Sequence, residues 1–192
     1  MFSTNCPLFP LSAHLMPGGR MTLRIFEPRY IRMVKDACAN DSGFVICMLN
    51  VSGDKALNKH IFEVGTYAKI IDFNLLSDGF MSITVFGETA VNIDNIRTES
   101  DGLRIGDCVE KAPWCCDIDE SDIAVMRGRL QEIFSRYEEL NTLYIRPEFD
   151  NPIWVIHRWL ELIPVDPERK QFFMKQQDCK YIVTFLKNLV LD

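Results

Sequence analysis

The sequence lacks the patterns that mark most membrane proteins and cofactor-dependent enzymes. Its apolar runs, such as residues 153–156, fall far short of the roughly 18 residues that span a bilayer. The N-terminal residues show neither the basic region nor the long apolar segment of a signal peptide. The P-loop, the dinucleotide-binding glycines, the G-x-S-x-G elbow and the H-E-x-x-H zinc motif are missing. We therefore expect no membrane span, no signal peptide and no cofactor.

Histidine and cysteine are not arranged as metal ligands. The three histidines, His14, His60 and His157, have no partner at a metal-binding spacing. The seven cysteines are odd in number and form no C-x-x-C pair, and adjacent Cys115 and Cys116 cannot easily form an unstrained disulfide. The sequence therefore predicts free thiols in a reducing cytoplasm, with this pair packed on the core as small hydrophobes. It predicts no catalytic, cofactor-binding or metal-binding residue.

The charge balance narrows the classes of partner. Among 192 residues, 21 are Lys or Arg and 27 are Asp or Glu, which gives a formal net charge of −6. This balance argues against a general nucleic-acid binder or a protein of anionic membrane surfaces, both of which need a basic face. The hydrophobic content of 47% is ordinary for a globular protein of one large or two small domains.

The hydrophobic period of the chain changes near Pro113. Before it, short alternating segments such as 81–85 indicate half-buried strands, and the Asp78-Gly79 pair indicates a hairpin turn. One helix is expected after Pro28, which suits a first helical turn. Many short strands with one inserted helix predict a small, closed or nearly closed β-barrel over residues 1–112.

Residues 113–192 have the three- and four-residue spacing of helices. One amphipathic helix follows Asp122, and two more begin at the cap-and-proline pairs Asn151-Pro152 and Asp166-Pro167. A last helix is expected from about Asp178. The fold class predicted for the whole chain is therefore α+β, with a β-barrel followed by a helical bundle.

Two tryptophans in the second half are candidate binding residues. Trp154 lies off the apolar stripe of its helix, so we expect part of its ring to be exposed. Trp159 is a second candidate, because Trp is enriched at binding hot spots. A core position is the alternative for both, since Trp buries much area in protein interiors.

A set of short motifs runs in order along nearly the whole chain. They are 7–11 (PLFPL), 16–30 (MPGGRMTLRIFEPRY), 64–68 (VGTYA), 76–79 (LSDG), 160–164 (LELIP) and 170–171 (KQ). Together they resemble the N-terminal substrate-binding domain of the Lon ATP-dependent proteases. Two stretches depart from that pattern. Residues 44–46 read Phe-Val-Ile where the family often has Phe-Gly-Val. Residues 86–91 (FGETAV) lack the basic-aromatic pair of the Gly, Arg, Phe pattern that the family often has there.

The resemblance implies a PUA-like pseudobarrel followed by a helical bundle. Pro10, Glu27, Pro28 and Arg29 belong to its structural signature. At the strand-to-helix corner we expect the Glu27 carboxylate to cap the helix and Arg29 to pair with nearby acceptors. The rings of Phe26 and Tyr30 are expected to anchor that helix on the strands.

The resemblance also implies a binding function without catalysis. The ATPase and protease modules of Lon are not present in the 192 residues, so we expect neither ATP hydrolysis nor peptide cleavage. The predicted role is to bind exposed hydrophobic or unfolded segments of protein partners, as an adaptor or modulator of proteolysis. The candidate binding residues are Phe26, Tyr30, Trp154 and Trp159.

The sequence leaves two alternative functions open. PUA-like barrels in other families bind RNA, although the net charge argues against it here. A small-ligand-binding protein, or an enzyme acting on a small metabolite, is the other alternative. The sequence predicts neither the partner nor the oligomeric state.

Overall fold

The computed structural model describes residues 2–115 and 117–191. Its internal contacts divide the chain into two compact units, Met1–Lys111 and Ala112–Asp192. The change of hydrophobic period places this boundary after residue 112. Strands dominate the described part of the first unit and helices that of the second, so the α+β class is confirmed.

The first unit contains, among its described residues, six strands and one helix. In chain order they are β1 (Phe2–Leu11), β2 (Arg20–Ile25), α1 (Pro28–Ala39), β3 (Phe44–Leu49), β4 (Ile61–Leu75), β5 (Met81–Thr98) and β6 (Arg104–Glu110). β2 shows the alternation of a half-buried strand, because Leu23 and Ile25 are buried while Thr22 and Arg24 are exposed.

The strand pairings close on themselves. The sheet order is β2-β5-β4-β3-β1-β6, and β5 also pairs with β6, so that five strands form a closed ring of pairings. β1 runs parallel to β3, and the other pairs are antiparallel. β2 pairs along one edge with β5, and no other described strand pairs with its second edge. The sheet therefore keeps one open edge, which lies at β2.

β4 and β5 form a long hairpin that the sequence predicts only in part. Gly79 at the turn has φ of 82°, a conformation that favours glycine, so the predicted Asp-Gly turn is confirmed. The two predicted short strands 81–85 and 91–94 are one continuous strand. Gly87 lies inside it, where a Cβ would come within 2.7 Å of the Met16 carbonyl oxygen. A glycine at this position therefore allows close backbone approach rather than ending the strand.

The core of the first unit consists of two clusters of buried apolar residues. The larger one joins α1 to the strands and contains Phe9, Met33, Phe44 and Ile83, with Tyr30 packed at its margin. The smaller one includes Leu8, Val45 and Val91. Because side chains alternate between the faces of a strand, Val45 and Ile46 belong to different clusters although they are adjacent.

The described part of the second unit contains five helices. They are α2 (Glu120–Arg136), α3 (Glu138–Leu143), α4 (Pro152–Leu162), α5 (Pro167–Lys175) and α6 (Lys180–Leu191). The Asn151 side chain accepts hydrogen bonds from the amides of Ile153 and Trp154, which confirms the predicted cap of α4. The Asp166 side chain makes no such bond, so the side-chain cap predicted at α5 is wrong, whereas Pro167 does occupy the first turn as predicted.

The cysteines differ from the prediction at two positions. Cys6, Cys38, Cys47, Cys108 and Cys115 are free, but Cys179 is disulfide-bonded, so the prediction of seven free thiols is wrong there. Cys115 is exposed rather than packed, and Cys116 lies outside the described residues.

One glycine in each unit allows a test of how tightly its surroundings are packed. A Cβ on Gly65 in β4 would lie 2.7 Å from the Ile46 carbonyl oxygen and from Val45 Cγ1, whereas a Cβ on Gly128 in α2 meets nothing within 4 Å. We expect Gly65→Ala to lower the free energy of unfolding by about 1–3 kcal/mol through overpacking. Gly128→Ala is expected to raise it by about 1 kcal/mol, because Ala favours helix. Urea denaturation followed by circular dichroism measures both, and equal stability of Gly65→Ala and wild type would contradict the packing described.

Candidate functional site

A cleft of about 540 Å³ opens in the first unit beside the N-terminus of α1. Its size falls in the range of sites that hold small molecules or short peptide segments. It is lined by β1, β2, the β2–α1 corner, α1, the end of β3, the β3–β4 loop and the start of β6. The lining residues are Phe9, Pro10, Leu11, Thr22, Leu23, Arg24, Phe26, Glu27, Arg29, Tyr30, Leu49, Lys55, His60 and Arg104.

The β2–α1 corner is set by backbone geometry. Pro28 occupies the first turn of α1, and the Glu27 carbonyl oxygen accepts from the amides of Tyr30 and Ile31, each at 3.0 Å. The Glu27 carboxylate caps no amide and instead pairs with the Arg29 guanidinium at 2.6 Å. The predicted side-chain cap is therefore wrong, since a charge-assisted contact to the neighbouring cation takes the carboxylate.

Arg29 ties α1 to the β5–β6 turn. Its Nη1 donates to the Gly102 carbonyl oxygen at 3.0 Å, and its guanidinium lies 4.7 Å from the centre of the Tyr30 ring. Gly102 has a φ of 87°, a backbone conformation that residues other than glycine rarely adopt. This conformation belongs to the turn whose carbonyl oxygen accepts from Arg29. The predicted pairing of Arg29 with nearby acceptors is confirmed.

Arg32, one turn further along α1, binds the same turn. Its Nε donates to the Asp101 carboxylate at 2.8 Å, and its Nη2 pairs with Glu99. This guanidinium, with help from the Leu103 amide, lowers the pKa of the Asp101 carboxyl. Because these groups are partly exposed, solvent screens each ion pair and limits its contribution to stability. The main effect of the pairs is to hold α1 in one position.

The two predicted aromatic anchors behave differently. The Tyr30 ring packs against the Phe9 ring with centroids 4.3 Å apart at 66°, and burial raises the pKa of the Tyr30 hydroxyl. Tyr30 thus anchors the helix as predicted. Phe26 is 60% exposed at the corner, so its predicted anchoring role is wrong. The cleft consequently has an aromatic wall at Tyr30 and Phe9 and a solvent-facing ring at Phe26.

The charged lining of the cleft is mostly basic. Arg24 is matched by Asp78 at 2.7 Å, and Arg29 is matched by Glu27. Arg104 donates to the Gly102 carbonyl oxygen at 3.5 Å, which is a long contact. Neither Arg104 nor Lys55 forms an ion pair with any residue that the structure describes, so both charges remain unbalanced.

His60 is a buried imidazole in this basic surrounding. Burial lowers its pKa first, and the positive charges of Arg104 and Lys55 lower it further. Its Nδ1, like the Nε atoms of Arg29 and Arg104, is buried without a hydrogen-bond partner in the described part of the chain. This end of the cleft therefore has positive charge and few acceptors.

The two tryptophans lie in the core of the second unit. Trp154 is 4% exposed and packs its ring against Phe134, Tyr144 and Phe149. Trp159 Nε1 donates to the Met126 carbonyl oxygen at 3.1 Å. The expected exposure of Trp154 is wrong, because α4 is buried on more than one face and not only along its apolar stripe.

Sequence reasoning missed the basic end of the cleft. Lys55, His60 and Arg104 are distant in sequence from the corner motif, and no spacing rule joins a loop residue to the first residue of a later strand. Among residues 2–115 and 117–191, no three potential metal ligands come together, and no helix is long and apolar enough to cross a membrane.

Fold and cleft together define a mixed α+β module with a partly apolar, basic cleft. The chain belongs to the family of the ATP-dependent protease La (LON) substrate-binding domain, whose model matches residues 5–183. This match confirms the family resemblance carried by the motifs. In Lon this domain is a non-catalytic module.

Comparisons with individual proteins agree with this family. A Lon N-terminal domain protein from Xanthomonas campestris is 24% identical with a TM-score of 0.74, covering 96% of this chain and 97% of that one. The N-terminal domain of a Mycobacterium avium complex Lon protease is 14% identical with a TM-score of 0.68, covering 98% of each chain. Protein cereblon of Danio rerio is 28% identical over 104 residues, 52% of this chain. The match spans only 24% of that relative.

The lowered pKa of His60 predicts a pH-dependent stability. The folded protein resists protonation of this imidazole more than the unfolded chain does, so the stability it supports is present above the ordinary pKa and is lost on acidification. We expect wild type to lose more stability between pH 7 and pH 5 than His60→Gln does. Denaturant midpoints at both pH values measure this, and identical losses in the two proteins would contradict the burial of a neutral His60.

Proposed function

We propose that the cleft beside α1 binds extended hydrophobic segments of protein partners. The observation that carries the proposal is the position of Phe26, exposed at the rim of a cleft that also contains Tyr30 and the open edge of β2. The family supports the coarser statement that the chain is a substrate-binding module.

The apolar wall supplies the main driving force in this proposal. A segment that enters the cleft covers the Phe26 ring and contacts Leu11, Leu23 and Tyr30. Burying one such aromatic ring is worth about 1.5–3 kcal/mol. Exposed aromatic rings beside a concave surface are typical of binding anchors.

The open edge of β2 supplies main-chain hydrogen bonds. Thr22, Leu23 and Arg24 of this strand line the cleft, and no described strand pairs with their outer edge. An extended peptide can add to such an edge as a further strand, with affinity from backbone pairing and selectivity from side-chain pockets. Unfolded chains present the extended backbone that this mode needs.

The wider role follows the family and remains part of the proposal. A non-enzymatic module that binds unfolded segments would act as an adaptor or modulator of proteolysis in the cytoplasm. We infer further that the closed ring of strands is the PUA-like barrel that the motifs imply, followed by the helical bundle. Of the four binding residues predicted from sequence, the proposal keeps Phe26 and Tyr30. It sets Trp154 and Trp159 aside because both are buried.

Fluorescence anisotropy of a labelled, permanently unfolded polypeptide tests the proposal. We expect saturable binding that persists at high salt and exceeds binding of a folded control protein. Phe26→Ala is expected to weaken it about tenfold, because the ring's buried area is lost.

Phe73→Ala provides the matched control, since Phe73 is also an exposed Phe, 70% accessible, but lies on β4 away from the cleft lining. We expect this variant to bind as wild type does. A loss of affinity in Phe73→Ala with none in Phe26→Ala would place binding on the β4–β5 hairpin and overturn the proposed site. Absence of saturable binding by wild type would overturn the function itself.

A further inference from the structure

The basic end of the cleft is not explained by hydrophobic binding. An apolar segment needs no cation, yet Lys55 and Arg104 line the same cleft without an acidic partner among the described residues. Unmatched cations in one partly enclosed site repel each other, and the chain carries a net charge of −6 that offers many carboxylates elsewhere. Their joint placement therefore points to a ligand.

Arg104 is the better placed of the two cations. It begins β6, is partly buried, and engages the described residues only through Nη1 and the Gly102 carbonyl oxygen at 3.5 Å. Its Nε is buried without a partner. A guanidinium has five donors in a fixed fork that matches a carboxylate, and the described residues accept a hydrogen bond from only one nitrogen of this fork.

His60 lies in the lining of the same cleft as the two cations, Arg104 and Lys55. The imidazole is 93% buried, since its exposure is 7%, and its Nδ1 has no partner in the described chain. Burial lowers the pKa of the imidazole, and the positive charges of Arg104 and Lys55, which line the same cleft, lower it further. An anion held there would relieve the repulsion between the two cations, Arg104 and Lys55.

We propose that this end of the cleft is a carboxylate-binding subsite, formed by Arg104 and Lys55 beside His60, which selects hydrophobic segments that also carry a carboxylate. The proposal rests on the peptide-binding function proposed above and adds selectivity to it. The carboxylate comes from an acidic side chain of the segment or from the C-terminus of a partner.

The surroundings of the subsite favour a peptide over a nucleic acid. Nucleic-acid binding relies on several phosphate contacts along a basic path. Here the two unmatched cations share a single cleft with the apolar residues Phe9, Leu11, Leu23 and Tyr30. The other charged side chains of the lining, Arg24, Glu27 and Arg29, already form ion pairs. One carboxylate next to an apolar side chain complements this arrangement of charge and surface.

Four versions of one extended apolar peptide test the subsite by anisotropy. They combine a free or an amidated C-terminus with an internal Glu or Gln. We expect the peptides with at least one carboxylate to bind wild type about tenfold more tightly than the amidated Gln version, with the preference reduced at high salt. The two singly charged versions tell whether a side chain or a chain end supplies the group.

Substitutions of Arg104 and Lys55 test whether these side chains bind the carboxylate of the peptide. We expect Arg104→Gln and Lys55→Gln each to remove most of the preference for the carboxylate-bearing peptides over the amidated Gln version. Lys59→Gln is the matched control, because Lys59 is an exposed cation of the same loop that does not line the cleft. Lys55 is itself exposed, so its variant keeps the test valid if Arg104→Gln fails to fold.

An NMR titration of His60 gives an independent readout. A carboxylate bound between the cations is expected to raise the pKa of the imidazole, while the neutral peptide leaves it unchanged. Equal binding of all four peptides, with the Phe26 dependence intact, would overturn the subsite and leave the peptide-binding function standing. Failure of every peptide to bind would overturn both. Tighter, Arg104-dependent binding of a single-stranded RNA than of any peptide would overturn the subsite in favour of phosphate recognition.

Discussion

The attachment of α1 to the β5–β6 turn is the constraint on which the cleft depends. Arg29 donates to Gly102, and Arg32, one turn later, pairs with Asp101 and Glu99, so that two successive cations of one helix hold one turn. Tyr30, between them in sequence, packs on Phe9 of β1. The corner before the helix exposes Phe26, and Arg104, just after the turn, lines the cleft.

The motif around this corner therefore has a positional role. Pro28 starts the helix, Glu27 neutralises Arg29, and Arg29 reaches the turn, so each residue fixes the place of the next. The signature residues support the walls of the cleft, and the exposed ring beside them is free to contact a partner. This separation explains why residues of a structural signature and a candidate binding residue occur side by side in the chain.

Local sequence patterns predict the elements of this fold well where the physical cause is local. The Asp78-Gly79 turn, the Asn151 cap and the position of Pro28 each act within four residues, and the structure shows all three. The continuity of β5 is not predictable in this way. Gly87 lies inside the strand because the backbone of a loop distant in sequence approaches it too closely for a side chain.

The candidate site is likewise predictable only where the cause is local. The corner motif indicates Phe26 and Tyr30, but the cations at Lys55 and Arg104 join them only through strand pairing. The burial of Trp154 likewise depends on helices that its own periodicity does not report.

The central claim is that an extended segment binds along β2 and the corner of α1. NMR chemical-shift mapping of the labelled protein, with an unfolded polypeptide added, tests this most directly. We expect the largest shifts on residues 22–30 and around Arg104, and we expect the amides along β2 to become more protected from exchange. Shifts confined to the β4–β5 hairpin around Phe73, or to the second unit, would contradict it.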